Sequence, residues 1–321
     1  MSRPVVIIHS NRPETVESVV RENHPDLELH RCDTYRALSG TVDATRADVV
    51  YSVMFEGKPT FPRNVLLKGE TVKWVSVGGS GVDHLGSWDP QTVTVTNAAG
   101  VAAGMLAEYT FGMMLSFSLG LRGFQKDQQQ RRWTAATVEP LKGKTVLLFG
   151  LGKTGQAVAR LARDFGMTTL GVRSRLEPVS CVDEVYGPDS SEILLSRADF
   201  VVCCMPLTPA TRGFLNAKAF SAMKPSAVLI DISRGGIVDE TALLVALRGG
   251  LIRGAALDVF TVEPLAADHP LWSFDNVIVT PHCASTFDGW EWTAARMFSE
   301  NLGRWRRDEP LMNVVDPLRG Y

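Results

Sequence analysis

Short runs of aliphatic and β-branched residues alternate with stretches of helical periodicity along the chain. The N-terminal runs that predict strands are residues 5–8, 49–53, 72–77 and 93–95. The second series comprises residues 145–149, 168–172, 200–204, 227–230, 255–257 and 277–279. This alternation is typical of parallel α/β architecture, and the second series is long enough to form one complete doubly wound sheet.

The segment between the two series, residues 101–121, is rich in small and apolar residues. Glu108 and several glycines and serines interrupt it, so a membrane span is disfavoured and a buried or interface helix is predicted. With 321 residues, the chain is longer than one hydrophobic core usually supports. We therefore expect two α/β domains, each built on a parallel sheet.

Composition limits the classes of partner. Apolar residues make up 45% of the chain and charged residues 21%, and the formal net charge is -2. A polyanion-binding protein would carry a basic excess, so we expect neither nucleic acid nor a membrane as a partner. The five cysteines are scattered without metal-ligand spacing, which favours free thiols in a reducing compartment and no metal site. The apolar run at 5–8 is too short for a signal peptide, and a cytoplasmic protein is expected.

A glycine-rich segment follows the strand predicted at 145–149 and precedes a helical pattern at 156–164. The candidate cofactor-binding residues in it are Gly150, Leu151, Gly152, Lys153, Thr154 and Gly155. Gly150 permits a tight turn, Gly152 lets the backbone approach a pyrophosphate, and Gly155 allows close packing of helix on strand. The free N–H groups at the N-terminus of a helix can donate hydrogen bonds to the phosphates. A bare glycine hexapeptide could be a structural turn, but the flanking strand and helix favour dinucleotide binding.

The strand predicted at 168–172 ends in Arg173, Ser174 and Arg175. A carboxylate at this position would bind the adenosine ribose hydroxyls of NAD, whereas guanidinium groups bind a ribose 2'-phosphate. Ser174 adds a hydroxyl donor. NADP(H) is therefore the preferred cofactor, with NAD(H) as the second candidate. The alternative is a basic exposed turn that binds no ligand.

Three residues that follow later strands can polarise and protonate a carbonyl: Arg234, Glu263 and His282. Hydride delivery to a ketone leaves an alkoxide that needs a proton, and histidine is the natural donor near neutral pH. A carboxylate such as Glu263 on the other ring nitrogen would orient the imidazole. The planar fork of Arg234 can clamp a substrate carboxylate and polarise the ketone. Each residue alone has an ordinary alternative, as a loop histidine, a solvated glutamate or a surface arginine.

These residues lie within longer motifs. Residues 231–240 read Asp-Ile-Ser-Arg-Gly-Gly-Ile-Val-Asp-Glu, residues 256–260 read Ala-Leu-Asp-Val-Phe with Glu-Pro-Leu at 263–265, and Pro281 precedes His282. Together with the glycine loop, they resemble the D-isomer-specific 2-hydroxyacid dehydrogenase family from about Trp74 to the C-terminus. The chain is similar to the glyoxylate/hydroxypyruvate (2-ketoacid) reductase branch, partly through residues 313–316 and 319–321.

The resemblance implies two Rossmann-like domains with doubly wound parallel sheets. A dinucleotide-binding domain at 99–285 would be inserted into a discontinuous substrate-binding domain formed by residues 1–98 and 286–321. Family members are usually homodimers built through the inserted domain, and the apolar segment 101–121 suits that role. Arg234, Glu263 and His282 match the family's catalytic residues, and Arg234 would also bind substrate.

Further binding residues are implied by the same resemblance. The turn at 77–83 has bare N–H groups that could form an anion nest, and the matching family loop binds the substrate carboxylate through backbone amides. The family's cofactor-lining segment and the residue that holds the nicotinamide carboxamide also have counterparts. The implied residues are Ser80, Gly81 and Val82 for substrate and Met205, Pro206 and Asp258 for cofactor. A simple tight turn at 78–82 and a local cap formed by Asp258 are the alternatives.

The predicted activity is reduction of a small 2-keto acid, such as glyoxylate, hydroxypyruvate or pyruvate, to the D-2-hydroxy acid. In the family, loops near 54–57 and residues around Trp290, Trp292 and Arg296 build the side-chain pocket, although these aromatic residues could equally pack the domain junction. The alternatives are a dinucleotide-sensing, corepressor-like protein without turnover and an enzyme that oxidises phosphoglycerate or formate. Retention of the three catalytic candidates argues against the sensor. Phosphorylated substrates would require a basic cluster near Ser80, which the sequence lacks.

Overall fold

The computed structural model describes residues 3–53, 61–317, 319 and 320, which fall into two compact units. The terminal unit comprises residues 1–101 and 288–321, and the inserted unit comprises residues 102–287. Each unit contains one parallel sheet flanked by helices. The predicted pocket loop at 54–57 and the closing Tyr321 lie outside the described residues.

The terminal unit begins with alternating strands and helices. Its strands are β1 (Val5–Ser10), β2 (Glu28–Cys32), β3 (Val49–Val53), β4 (Trp74–Val77) and β5 (Thr94–Asn97), and the intervening helices are α1 (Pro13–Asn23), α2 (Tyr35–Thr45) and α3 (Arg63–Leu67). The strands pair in the order β2-β1-β3-β4-β5. Ile7 packs with residues of α2 on one face, and Val6 and Ile8 pack with residues of α1 on the other. A strand covered on both faces requires such a continuous apolar run.

The inserted unit has a larger sheet. Its helices are α4 (Ala103–Ser118), α5 (Leu121–Gln129), α6 (Lys153–Asp164), α7 (Ser191–Leu195), α8 (Ala217–Ala222) and α9 (Glu240–Arg248). Its strands are β6 (Thr145–Phe149), β7 (Thr168–Val172), β8 (Glu184–Tyr186), β9 (Phe200–Cys203), β10 (Val228–Asp231), β11 (Gly254–Leu257) and β12 (Val277–Val279). They form a 7-stranded sheet in the order β12-β11-β10-β9-β6-β7-β8. The order reverses between β6 and β9, and ligands of open parallel sheets bind at such switch points.

The last helix, α10 (Trp290–Arg306), belongs to the terminal unit. The ring of Phe298 lies 4.9 Å from that of Tyr51 and 5.4 Å from that of Trp74, measured between centroids. The buried indole nitrogen of Trp74 donates to Thr96 Oγ1 at 2.9 Å. Both ends of the chain therefore build one hydrophobic core.

The predicted parallel α/β fold with two sheets is confirmed, but two strands carry no clear apolar signal. In β2, which reads Glu-Leu-His-Arg-Cys, only Cys32 is buried. The short strand β8 is half-buried throughout. Both lie at the edge of their sheets, where a strand has a neighbour on one side only and tolerates polar residues. The hydrophobic pattern consequently predicted the central strands and missed these two.

Helix α4 occupies most of the segment predicted as a buried or interface helix. Ala107, Phe111 and Met114 form its buried side. Among the described residues, no helix is both long and apolar enough to cross a membrane.

Candidate active site

The glycine loop joins β6 to α6 at the carboxyl edge of the inserted sheet. Gly150 has a φ of +104°, and a Cβ there would lie 2.8 Å from the Cys204 carbonyl oxygen. A Cβ on Gly155 would overlap the Gly150 carbonyl oxygen. Both positions therefore require glycine, whereas Gly152 faces open space at the start of α6. The loop leaves room for an anionic group at a helix N-terminus, where N–H groups lack intrahelical acceptors.

The other residues of the loop point in different directions. Leu151 is buried, and its side chain fills the space beside Gly171 of β7. Thr154 is half-buried, and Lys153 is exposed. The loop therefore combines one packing residue with polar residues at the start of the helix.

The basic segment follows β7, the strand next to β6. Arg173 is half-buried and its N–H donates to the Tyr186 carbonyl at 3.0 Å, while Ser174 and Arg175 are exposed. Within the part of the chain that the structure describes, neither guanidinium group makes an ion pair or a side-chain hydrogen bond. Both groups are thus available to an anion in solution.

Met205 and Pro206 follow β9, on the other side of the switch point from β7. The Thr211 hydroxyl donates to the Pro206 carbonyl at 2.7 Å, and the Thr208 N–H donates to Thr211 Oγ1 at 2.8 Å. These bonds close a compact turn. The turn therefore presents Met205 and Pro206 beside the glycine loop that follows β6.

Two cysteines lie at the end of β9. Cys203 is fully buried, and the Cys204 thiol donates to the Gly150 carbonyl at 3.0 Å. Burial raises the pKa of both thiols, that of Cys204 to about 12. Neither group is a thiolate near neutral pH, so neither can act as a nucleophile there.

Arg234 lies in the loop that follows β10. It is half-buried, and one of its Nη1 hydrogens is donated to the Ser233 carbonyl at 2.8 Å. The next residue, Gly235, passes so close to the loop after β11 that a Cβ would overlap the Phe260 carbonyl oxygen. A glycine is required here, and it brings the Arg234 loop against the loop that carries Glu263.

Glu263 and His282 are in direct contact. His282 Nδ1 lies 2.8 Å from Glu263 Oε2, and Glu263 Oε1 accepts the Phe260 N–H at 2.9 Å. Both side chains are partly exposed, at 39% for His282 and 34% for Glu263, so solutes can reach the ring. His282 Nε2 has no hydrogen-bond partner among the described residues. Because an ionised carboxylate can only accept a hydrogen bond, Nδ1–H is the donor in this contact, and Nε2 is the ring nitrogen without a partner among the described residues.

Asp258 holds the loop on which His282 lies. Its carbonyl oxygen accepts the His282 N–H at 2.9 Å. Its carboxylate accepts the Thr280 hydroxyl at 2.6 Å, the Cys283 N–H at 2.9 Å and the Ala284 N–H at 3.0 Å. These are the bonds of a local cap, the alternative considered for Asp258. Carboxylate oxygens have further lone pairs, so contact with a nicotinamide carboxamide stays a prediction.

Asp231, the last residue of β10, is a second buried carboxyl group. It is 2% exposed and accepts the Ser233 N–H at 3.0 Å as well as the Ser233 hydroxyl. Burial raises the pKa of Asp231 from its ordinary value of 3.8 to about 7, and the nearby charge of Asp258 acts in the same direction. Near neutral pH the side chain therefore exchanges between its neutral and charged forms.

The catalytic candidates thus follow three neighbouring strands, β10, β11 and β12. The structure brings Glu263 and His282 together and places Arg234 on the adjoining loop. No role was predicted for Asp231, although it begins the motif at 231–240, or for Thr280, which directly precedes Pro281. Each is a polar residue at the end of a strand or directly after it.

The predicted substrate turn lies in the terminal unit, after β4. Gly78 approaches the neighbouring strand so closely that a Cβ would lie 2.5 Å from the Tyr51 hydroxyl. The Asn97 side chain donates to the Ser80 carbonyl at 2.7 Å and fixes the turn. Within the described ranges, no acceptor is found for the N–H groups of Ser80, Gly81 and Val82. Successive N–H groups without acceptors can form an anion nest where they converge, so substrate binding by this turn stays a prediction.

The aromatic residues predicted near the pocket are on α10, also in the terminal unit. The Arg296 guanidinium lies 3.5 Å from the centroid of the Trp292 ring, a cation–π contact. Trp290 and Trp292 keep partial exposure.

Over the described residues, no cluster of three or more potential metal ligands occurs.

A parallel sheet with a glycine loop at its switch point and a histidine–glutamate pair at its carboxyl edge defines a dinucleotide-dependent oxidoreductase. Residues 111–284 match the family described as "D-isomer specific 2-hydroxyacid dehydrogenase, NAD binding domain". The chain is 33% identical over 270 residues to glyoxylate/hydroxypyruvate reductase A of Photorhabdus laumondii, covering 81% of this chain and 85% of that protein. It is 34% identical over 259 residues to the D-3-phosphoglycerate dehydrogenase of Methanocaldococcus jannaschii, covering 79% of this chain but only 49% of that protein.

Among solved structures, the chain is similar to a D-isomer specific 2-hydroxyacid dehydrogenase from Xanthobacter autotrophicus Py2 in complex with NADPH and MES. The TM-score is 0.86 at 31% identity, and the match covers 100% of both chains. The chain therefore belongs to the D-isomer-specific 2-hydroxyacid dehydrogenase family and is an oxidoreductase.

The raised pKa of Asp231 predicts a pH-dependent loss of stability. Between about pH 4 and pH 7 the folded protein keeps the Asp231 proton that the unfolded chain has lost, so the free energy of unfolding falls as pH rises through this window. Asp231→Asn cannot ionise. The free energy of unfolding of Asp231→Asn minus that of the parent should therefore rise from about pH 4 to pH 7 and then stay constant. Urea unfolding at a series of pH values measures this difference.

The exposed Asp268→Asn provides a control for the loss of one carboxylate. A difference between Asp231→Asn and the parent that stays constant from about pH 4 to pH 8 would show that burial does not raise this pKa.

Proposed function

We propose that the protein reduces small 2-keto acids of the glyoxylate, hydroxypyruvate and pyruvate type to D-2-hydroxy acids, with NADPH as the preferred reductant. The observation that carries the proposal is the His282–Glu263 pair, in which Nδ1 is bound at 2.8 Å and Nε2 is left for a reactant. The reductase named in Photorhabdus laumondii supports the substrate class.

The proton chemistry follows from this pair. NADPH, when bound, would supply a hydride to the ketone carbon. The carbonyl oxygen then becomes an alkoxide, and we assign the proton it needs to His282 Nε2. Glu263 holds the ring through Nδ1 and thereby fixes the orientation of Nε2. The Phe260 N–H on the other carboxylate oxygen keeps Glu263 in place.

Anion recognition is assigned to two sets of groups. As substrate-binding residues we assign Ser80, Gly81 and Val82, through their backbone amides, and Arg234, whose guanidinium group can bind a carboxylate and polarise a ketone. In this scheme the terminal unit has the substrate-binding role. The unbonded N–H groups of the turn support the assignment.

Cofactor binding is assigned to the inserted unit. The glycine loop, with the open space at Gly152, suits a pyrophosphate, and Met205, Pro206 and Asp258 would line the nicotinamide side. We assign the ribose 2'-phosphate to Arg173, Ser174 and Arg175 because their side chains are exposed or half-buried and the guanidinium groups are unpaired among the described residues. The NADPH complex of the related Xanthobacter structure supports this preference.

Turnover tests the proposal directly. Purified protein should oxidise NADPH in the presence of glyoxylate, hydroxypyruvate or pyruvate, and His282→Asn should lower kcat at least about a hundredfold because it removes the proton donor. NADPH binding, measured by fluorescence titration, should survive the substitution.

His30→Asn, at a partly exposed histidine of the terminal unit, is the matched control and should keep parental activity. Near-normal turnover by His282→Asn would refute the assigned role. Binding of NADPH by a parent that reduces none of the acids would instead favour the dinucleotide sensor, and oxidation of phosphoglycerate would favour the other alternative.

The cofactor preference has a separate test. Replacing Arg173 and Arg175 together by Gln should raise the Kd for NADPH at least about tenfold, since two charge-assisted contacts to the 2'-phosphate are lost, and should change the Kd for NADH little. The control is Lys218→Gln with Arg248→Gln, which removes the same charge at exposed positions outside the loops described above. Equal affinity of the parent for both cofactors would defeat the preference.

The homodimer remains a proposal, supported by an apolar surface on the inserted unit. No residue of α5 is buried, Phe124 and Leu121 are exposed at 38% and 43%, and the Trp133 side chain is fully exposed. Burial of such a surface against a second copy would remove apolar area from water. A cytoplasmic location likewise stays a prediction.

Light scattering after size-exclusion chromatography should give the mass of two chains. Phe124→Ser combined with Trp133→Ser should shift the population toward monomer, because the apolar contact is lost. Ile193→Ser, at an apolar side chain that is 67% exposed elsewhere on the same unit, is the control. A parent that is monomeric at every concentration tested would rule out the dimer.

A further inference from the structure

A chain of hydroxyl groups leads from helix α4 to the carboxylate of Asp258. The Tyr109 hydroxyl lies 2.6 Å from Thr280 Oγ1, and Thr280 Oγ1 lies 2.6 Å from Asp258 Oδ1. Tyr109 is on α4, and Thr280 directly follows β12. The assigned chemistry of His282 and Glu263 does not by itself explain why these groups are linked.

The direction of the hydrogen bonds is fixed by the number of hydrogens. A carboxylate can only accept, so the single hydroxyl hydrogen of Thr280 is donated to Asp258. Thr280 Oγ1 then has only acceptor capacity left, and the Tyr109 hydroxyl must donate to it. Burial raises the pKa of Tyr109 to about 12, so its proton is present throughout the neutral range. The chain therefore runs from Tyr109 through Thr280 to Asp258, and each bond polarises the next.

The end of this chain controls a backbone conformation that is unfavourable by itself. His282 has a φ of +52°, in the left-handed region that a residue with a Cβ adopts at a cost. The Asp258 carbonyl accepts the His282 N–H at 2.9 Å, and the Asp258 carboxylate accepts the N–H groups of Cys283 and Ala284. Four hydrogen bonds thus connect Asp258 to residues 280–284, the loop on which His282 contacts Glu263.

We propose that Tyr109 is a positioning residue, whose hydroxyl acts through Thr280 to orient the Asp258 carboxylate and thereby hold His282 against Glu263. The inference rests on the proposed function of His282 as proton donor. Tyr109 acts at a distance and is assigned no contact with substrate.

A double-mutant cycle tests this pathway. Tyr109→Phe and Thr280→Val should each lower kcat for the best 2-keto acid about threefold to tenfold, the value expected for one lost hydrogen bond, with KM values near the parent's. If Tyr109 acts through Thr280, the double variant should be no slower than Thr280→Val alone. Thr280→Ser keeps the hydroxyl and should retain most of the activity.

Tyr186→Phe is the matched control, since the Tyr186 hydroxyl contacts Glu184 and Arg197 instead of this chain. It should leave kcat unchanged. An unchanged kcat for Tyr109→Phe would overturn the proposal. The proposal would also be overturned if Tyr109→Phe lowered kcat by the same factor in the parent and in Thr280→Val, because the two substitutions would then act independently.

Hydrogen–deuterium exchange gives a readout that needs no substrate. In Tyr109→Phe, the amides of Cys283 and Ala284 should exchange faster than in the parent, while Tyr186→Phe should leave them unchanged. Unaltered exchange in Tyr109→Phe would contradict the pathway even if kcat fell. If the parent reduces no 2-keto acid, the proposed function fails, and the exchange rates alone decide whether Tyr109 holds the loop.

Discussion

The parallel pairing of β10, β11 and β12 is the constraint on which the candidate site depends. The register places Asp231 beside Leu257 and Leu257 beside Val279, so the following loops leave the sheet at one level. Two backbone bonds extend the pairing beyond the strands, from the Asp258 N–H to the Asp231 carbonyl and from the Thr280 N–H to the Leu257 carbonyl, each at 3.0 Å. A slip of one residue would move every side chain of the slipped strand to the opposite face of the sheet and shift its loop away from the neighbouring loops.

Two carboxyl groups are buried at this edge of the sheet, that of Asp231 at the end of β10 and that of Asp258 directly after β11. Asp258 accepts three donors, two of them backbone N–H groups, whereas Asp231 is bound only by Ser233. Burial favours the neutral form of a carboxyl group, and hydrogen bonds from N–H groups favour the charged form. For Asp231 burial is the larger effect and raises its pKa to about 7, although the hydrogen bonds from Ser233 act in the opposite direction. Asp258 meanwhile serves as the acceptor that its loop needs.

Sequence patterns predicted the architecture well because buried central strands must be apolar on both faces. Order and motif also predicted the His282–Glu263 contact, since residues that follow neighbouring parallel strands meet at one edge. The edge strands β2 and β8 were not predicted because they contain polar residues, which an exposed edge strand tolerates. The hydrogen bonds that link Tyr109 to Asp258 were not predicted for another reason. Tyr109 is 171 positions from Thr280, and no local sequence pattern indicates a contact at that separation. The loop at 54–57, which was predicted to form part of the pocket for the side chain of the 2-keto acid, lies outside the described residues. The identity of that side chain therefore stays a proposal.

In each unit a glycine-containing turn follows a strand of the sheet, residues 78–82 after β4 and residues 150–155 after β6. In the terminal unit, Gly78 lets the chain turn after β4, and the N–H groups of Ser80 to Val82 are left without acceptors among the described residues. In the inserted unit, Gly150 and Gly155 allow a turn that continues into the helix α6, which adds its dipole. A monoanionic carboxylate suits the first arrangement, and a pyrophosphate, with its greater charge, suits the second. The match of residues 111–284 to an NAD-binding domain agrees with a dinucleotide at the second turn. The keto acid at the first turn stays a proposal.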